Sequence, residues 1–222
     1  MQEHALQFTA SLMDAQGKPM RIIVSWSLAI AVLFASAAEA QQTVNGCLIK
    51  RRASCPGANL SGADLTKSNL SNSDLSGANL SGANLSFDKI AETNLTNANL
   101  SGANLAGTIL SITYMSNANL ARANLDKADL SQSTLPNANL REANLAGANL
   151  SMANLKGADL TGANAKGAVF IMASLANANL TRADLTEATL VGADLHNAIL
   201  DGARFCKTTM PDRSVNNSGC PK

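Results

Sequence analysis

Ala98-Asn99-Leu100-Ser101-Gly102-Ala103-Asn104-Leu105 is one passage of a sentence that the chain repeats, with variations, from Ala58 to Lys207. Centred on the leucine, the units fall at Leu60, Leu65, Leu70 and every fifth residue to Phe205, thirty in all without a slip. Leucine holds 25 of the centres, and Ile90, Met115, Ala165, Phe170 and Phe205 hold the rest. Two residues before the centre, Ala stands in 23 units and Ser or Thr in six, which leaves Asp88 as the outlier.

A helix would place apolar residues at i, i+3 and i+4, and a straight strand would alternate them strictly. Here a small residue and a leucine lie two apart, so both can face one side of a short extended stretch. Five is odd, so a strand that ran on would turn the next unit outward. The chain must therefore bend between each leucine and the next alanine. The second residue after the centre is Gly or Asn in 17 of the thirty units, as at Gly62, Asn72 and Gly82. Both residue types accept the positive φ of a type II corner. Stretch and corner alternate, and the chain coils with Leu and Ala on its axis.

These residues resemble the pentapeptide-repeat family, whose consensus is Ala-(Asp/Asn)-Leu-X-X, over about two-thirds of the chain. The resemblance implies an all-β fold, a right-handed quadrilateral parallel β-helix with four units per coil. Thirty units then make about 7.5 coils, a solenoid roughly 36 Å tall at the spacing of hydrogen-bonded strands. It also implies a scaffold rather than a defined activity, because a repetitive framework is not in itself a site.

Outside the array the chain divides into a leader at residues 1–40, an N-terminal cap at 41–57 and a C-terminal cap and tail at 208–222 around the solenoid at 58–207. Met20-Arg21 opens an apolar run that closes on Ala38-Glu39-Ala40. A basic start, an apolar core and an A-x-A step before Gln41 are the marks of a cleaved secretory signal, and a retained membrane helix is the alternative. Met20 is an alternative start to Met1. Cleavage leaves no stable membrane span and directs the protein to a secreted or periplasmic location.

Four cysteines, Cys47, Cys55, Cys206 and Cys220, in an exported chain read as two disulfides. Zinc is the alternative, but no C-x2-C pair or neighbouring His supports it. On a rod of the implied height, Cys47 and Cys55 sit at one end and Cys206 and Cys220 at the other. A bridge needs Cα atoms within about 7 Å, so the pairs are Cys47–Cys55 and Cys206–Cys220.

Catalysis, cofactor binding and metal binding find no residues in this pattern. After the leader one His (His196) and one Tyr (Tyr114) remain, and no Ser or Cys has a His-acid set. The acids Asp64, Asp74, Asp129, Asp159, Asp184 and Asp194 precede centres and alternate with Asn, as outward ladder residues. A basic cluster at Lys50-Arg51-Arg52 reads as solvated cap surface.

Three function classes compete: an exported scaffold or protein-interaction module, a DNA-mimic topoisomerase inhibitor such as the quinolone-resistance members of the family, and an enzyme. Mimicry needs a strongly acidic rod in the cytoplasm. The array carries 10 Lys and Arg against 12 Asp and Glu, and the chain from Gln41 carries 15 against 13. That balance also disfavours nucleic-acid binding. The first class, with a protein partner or self-association, fits best.

Two features break the pattern. Asp88 occupies an inward slot, where an unpaired carboxylate is costly, so a bulge at Phe87-Asp88-Lys89 is expected to carry it to solvent or to a donor. With a twenty-residue coil, Met152 and Met172 share an outward column, Ile171 and Val191 share the next, and Val169 adjoins them. This apolar group is a candidate partner surface; the competing reading lays the side chains over the corners or under the tail.

Overall fold

Each five-residue unit meets its partner twenty residues on. An unbroken series of parallel bridges links Ser54 to Asp74, Asn59 to Asn79 and so on to Thr189 and Thr209. One circuit is therefore four units, and the chain forms four sides separated by four corners. Side 1 carries the centres Leu60, Leu80 and their successors. Sides 2, 3 and 4 follow with Leu65, Leu70 and Leu75. This is a computed structural model that describes residues 12–13, 19–20 and 42–221.

The chain splits into two units, 1–41 and 42–222. In the first, β1 (Leu12–Met13) pairs antiparallel with β2 (Pro19–Met20). The rest of the leader assigned to residues 1–40, and the cleavage step before Gln41, lie outside the described residues. Among the described residues no helix is long and apolar enough to cross a membrane.

In the second unit the repeat accounts for all five of its backbone N–H groups. Leu100 donates to the Asn119 carbonyl at 2.7 Å and Gly102 to that of Ala121 at 2.9 Å, both on the next coil. Ala103 closes the corner on Leu100 O at 3.0 Å, and Asn104 reaches back to Ala83 O at 2.9 Å. The fifth donor, Ser101 N–H, is met by the Asn99 side-chain Oδ1 at 3.2 Å. Asn or Asp before each centre is thus a local cap for the corner.

The same amides also bind one another. Asn99, Asn119 and Asn139 each donate Nδ2 to the Asn one coil below at 3.0–3.3 Å on side 1. Asn104, Asn124, Asn144 and Asn164 do so on side 2 at 2.9–3.1 Å. Asp serves as the acceptor rung at Asp74 and Asp129.

Every centre from Leu60 to Leu190 is at most 1% exposed. On sides 1 and 2 the small inward slot is Ala throughout. Sides 3 and 4 differ in the lower coils, where Ser73, Asp88, Thr93, Thr108, Thr113 and Ser133 take that slot and are buried. The threonines remain satisfied: Thr93 Oγ1 donates to Leu70 O and Thr108 Oγ1 to Leu85 O, each at 2.7 Å.

Asp88 departs from the expected bulge. The coil runs regularly through it, with Lys89 bridged to Asn69 and Ile109. Its side chain is 2% exposed. Ser68 Oγ donates to Oδ2 at 3.2 Å, and Oδ1 has no partner. Burial, opposed chiefly by the Ser68 hydrogen bond, pushes the carboxyl from 3.8 up to about 7. Two ladders of main-chain bonds on either side hold the backbone in register, and neutralising the acid costs less than breaking them.

The corners hold a second departure. All thirty residues two after a centre have φ between 54° and 67°, including Phe87, Ile112, Met152 and Met172. A left-handed conformation costs an L-residue roughly 1–2 kcal/mol. The coil imposes it whatever the side chain, because each corner lies between two others of the same geometry.

The ends are finished differently. At the amino end β3 (Thr43–Val44) and β4 (Cys47–Leu48) form a hairpin about Asn45-Gly46, both with positive φ. It buries Cys47 and Ile49 under the first coil. Cys47 is bonded to Cys55, with Cα atoms 5.6 Å apart. At the carboxyl end β5 (Thr208–Thr209) pairs antiparallel with β6 (Val215–Asn216). The lower edge of β5 is bridged to Thr189, so β6 lies one layer beyond the last coil on side 3. Cys206 is bonded to Cys220, with Cα atoms 4.6 Å apart. Both bridges are those expected from the sequence.

Candidate functional site

The corner between sides 3 and 4 is unlike the others. From Ser111 to Gly192 its outward pairs read Ser-Ile, Ser-Gln, Ser-Met, Ile-Met and Val-Gly, with no charged residue. The bridges Asn149↔Val169 and Asn154↔Ser174 fix the register and stack Met152 directly below Met172. Both methionines are 61% exposed and Ile171 is 37% exposed. Val169 and Val191 are half-buried at the margins. Met172 leans toward the next coil, where its Sδ lies 2.8 Å from the place a Gly192 Cβ would occupy. Glycine at 192 thus leaves the room that the bulky corner residue below it uses.

Sequence reasoning left out two neighbours. Ile109 and Tyr114 flank the same corner two coils lower and are 39% and 52% exposed. Their signal was available, since each is apolar or aromatic at a position that is Asn or Asp in 21 of the thirty units. Asp129, Gln132 and Thr134 separate them from Met152.

Ion pairs link successive coils at the opposite corner, between sides 1 and 2. Arg122 pairs with Glu142 at 2.8 Å, and Arg141 with Asp159 on side 1 at 2.9 Å. The Arg122 hydrogen bond, then its charge, holds the Glu142 carboxyl below its ordinary value. These pairs are exposed and contribute little to stability. His196 lies exposed at a corner, its N–H bound to Asp194 Oδ1 at 3.0 Å. No cluster of three His, Cys, Asp or Glu that could hold a metal occurs among the described residues.

A coil of this period with small-X-leucine sides and amide ladders defines a repeat solenoid. The sequence matches the pentapeptide repeats in eight copies spanning residues 51–87, 93–171 (in overlapping copies) and 173–210. The chain belongs to the pentapeptide-repeat family and is a right-handed parallel β-helix.

Among solved structures it is similar to HetL, a pentapeptide repeat protein involved in heterocyst differentiation regulation in the cyanobacterium Nostoc sp. strain PCC 7120. That likeness is 26% identity over 83% of this chain and 98% of HetL, with a TM-score of 0.31. A pentapeptide repeat protein of the Arabidopsis thaliana thylakoid lumen is 33% identical over 52% of this chain and 66% of that one, with a TM-score of 0.22. Full-length QnrB1, a plasmid-mediated fluoroquinolone resistance protein, is 20% identical over 68% and 90%, with a TM-score of 0.38. No curated protein matches the chain.

Proposed function

We propose that the protein is a non-catalytic scaffold acting outside the cytoplasm, and that it engages a protein partner or a second copy through the corner strip of Met152, Val169, Ile171, Met172 and Val191. The observation that carries this reading is the neutrality of that corner: a run of apolar side chains, two of them long and adaptable methionines, with no charged corner residue from Ser111 to Gly192. The Cys47–Cys55 and Cys206–Cys220 bridges fit an oxidising compartment, consistent with the export leader. The near balance of charge in the array gives no acidic face for imitating DNA.

The double substitution Met172→Lys with Ile171→Ser tests the strip. Its positions are exposed, so stability should change by no more than about 0.5 kcal/mol, while association measured by sizing and pull-down is lost. Unchanged association overturns the assignment. For export, the mature protein recovered from the secreted fraction should begin at Gln41 by mass spectrometry. Retention of Met1 or Met20 there contradicts a cleaved leader.

A further inference from the structure

The hydrogen-bond ladder states what each edge of a coil accepts. One coil below the top, Leu180 N–H donates to Ile199 O and Arg182 N–H to Asp201 O, each at 2.8 Å. At the top coil the equivalent donors are Leu195, Asn197, Leu200 and Gly202, and none meets an acceptor among the described residues. The carbonyls of Ala193 and Ala198, which on lower coils receive an N–H from above, likewise meet no donor there.

The core is uncovered at the same place. Leu195, Ala198, Leu200 and Ala203 are only partly buried, whereas Leu175, Ala178, Leu180 and Ala183 one coil down are fully buried. At the opposite end Ala58 and Ala63 are also partly buried, but the centres Leu60 and Leu65 are fully buried. There the outward carbonyls of Asn59 and Asp64 receive the side-chain amides of Asn45 at 2.8 Å and Gln42 at 3.0 Å.

The shape of the opening selects what fits it. β6 stands one layer above the last coil, over side 3 only. Sides 4 and 1 therefore form a step one strand deep, roughly 4.8 Å, walled by the C-terminal hairpin. The flat end of a second coil would strike that hairpin before reaching the step. A single extended strand would not.

We propose that the step above Leu195–Gly202 is a docking site for one extended strand donated by another polypeptide. Its carbonyls receive the N–H groups of Leu200 and Gly202, and its N–H is received by Ala198 O. A small residue and a leucine-sized residue two apart close over Ala198 and Leu200. The recognised chemistry is that of one further repeat unit, with main-chain bonds giving affinity and the small-X-large spacing giving selectivity. This inference is independent of the corner strip.

The test is titration of the isotope-labelled full chain with an end-blocked decapeptide, Ala-Asn-Leu-Ser-Gly-Ala-Asn-Leu-Ser-Gly, followed by amide NMR. A peptide of the same composition with the leucines made adjacent is the control. The expected result is a saturable shift confined to the amides of Leu195–Gly202, with their hydrogen exchange slowed about tenfold at saturation, no change at Leu60 or Gly62, and no response to the control. No saturable change at millimolar peptide overturns the proposal, as does an equal response to the control. Protection of these amides in the free chain also overturns it. If that protection is independent of protein concentration, the chain covers the step itself; if it rises with concentration, the occupant is a second copy.

Discussion

At the amino end, Gln42 and Asn45 turn their side-chain amides onto the Asp64 and Asn59 carbonyls, and Cys47 and Ile49 seal the core beneath Leu60. At the carboxyl end the cap folds back over side 3 and, through Gly219 against Phe205, over side 2, and leaves Leu195 and Leu200 half-covered. The coils next to each end differ as well. Those below Ser133 carry hydroxyls and one acid in the core of sides 3 and 4, and their methionine-free corners are mostly polar. Those above it are Ala-lined inside up to Thr208 and carry the neutral corner strip outside. One period thus builds a base whose leucine centres are sealed and a top whose centres are half-covered.

The sharpest challenge to that contrast is that the upper coils could be loosely packed as a whole rather than merely uncapped. Phe170 is fully buried beside Ala165, the single small centre. Phe170→Ala should cost about 3–5 kcal/mol by chemical denaturation, and Ala165→Leu alone should destabilise through overpacking. A cost well below that range for Phe170→Ala, or a stabilised Ala165→Leu, would mean that the upper core is slack and the two halves differ in packing, not in their ends.

Asp88 provides the converse test, in the closed half. Its carboxyl stands at about 7 in the folded chain against 3.8 ordinarily, so the folded state holds the proton more tightly. Its contribution is therefore full below pH 3.8 and is lost as pH rises through about 7. Asp88→Ala, which restores the usual small residue, should leave stability little changed near pH 4 and raise it by about 2–4 kcal/mol above pH 7. Denaturation of both proteins across this range checks it, and a gap that does not widen with pH contradicts a buried, under-bonded acid.

The two disulfides should act locally and differently. Replacing either pair by Ser should cost about 2–3 kcal/mol. Loss of Cys47–Cys55 should expose the otherwise slow amides of Leu60 and Leu65, because the seal beneath them goes. Loss of Cys206–Cys220 should loosen Phe205 and Thr208 while leaving Leu195 as it was, since the cap never covered it. Hydrogen exchange of the two variants distinguishes these outcomes, and a Leu195 amide that depends on the Cys206–Cys220 bridge would break the comparison.

Much of this was legible before any coordinates. The odd period forces a coil, the small-X-leucine step fixes the core, and the distance between the ends fixes the cysteine pairing. Ile112, Met152 and Phe87 gave no sign of positive φ, because their own preferences oppose it and the neighbouring coils impose it. Asp88 was misjudged for the same reason: a local rule about buried charge was applied where the ladder above and below is stronger. The opening at Leu195–Ala203 was invisible because it depends on which side the chain after Thr209 folds over. The corner strip was legible in its columns, since register alone stacks Met152 and Met172. Tyr114 and Ile109 were passed over, although the missing Asn or Asp at their positions was a usable signal.

The central claim is that the leucine centres are sealed at the amino end and half-covered at the carboxyl end. Residue-resolved hydrogen exchange of the free full chain measures it directly. The account predicts slow exchange for Leu60, Gly62, Leu65 and the donors of every coil up to Leu190, and exchange faster by about two orders of magnitude or more for Leu195, Asn197, Leu200 and Gly202. Equal protection at the two ends would contradict it.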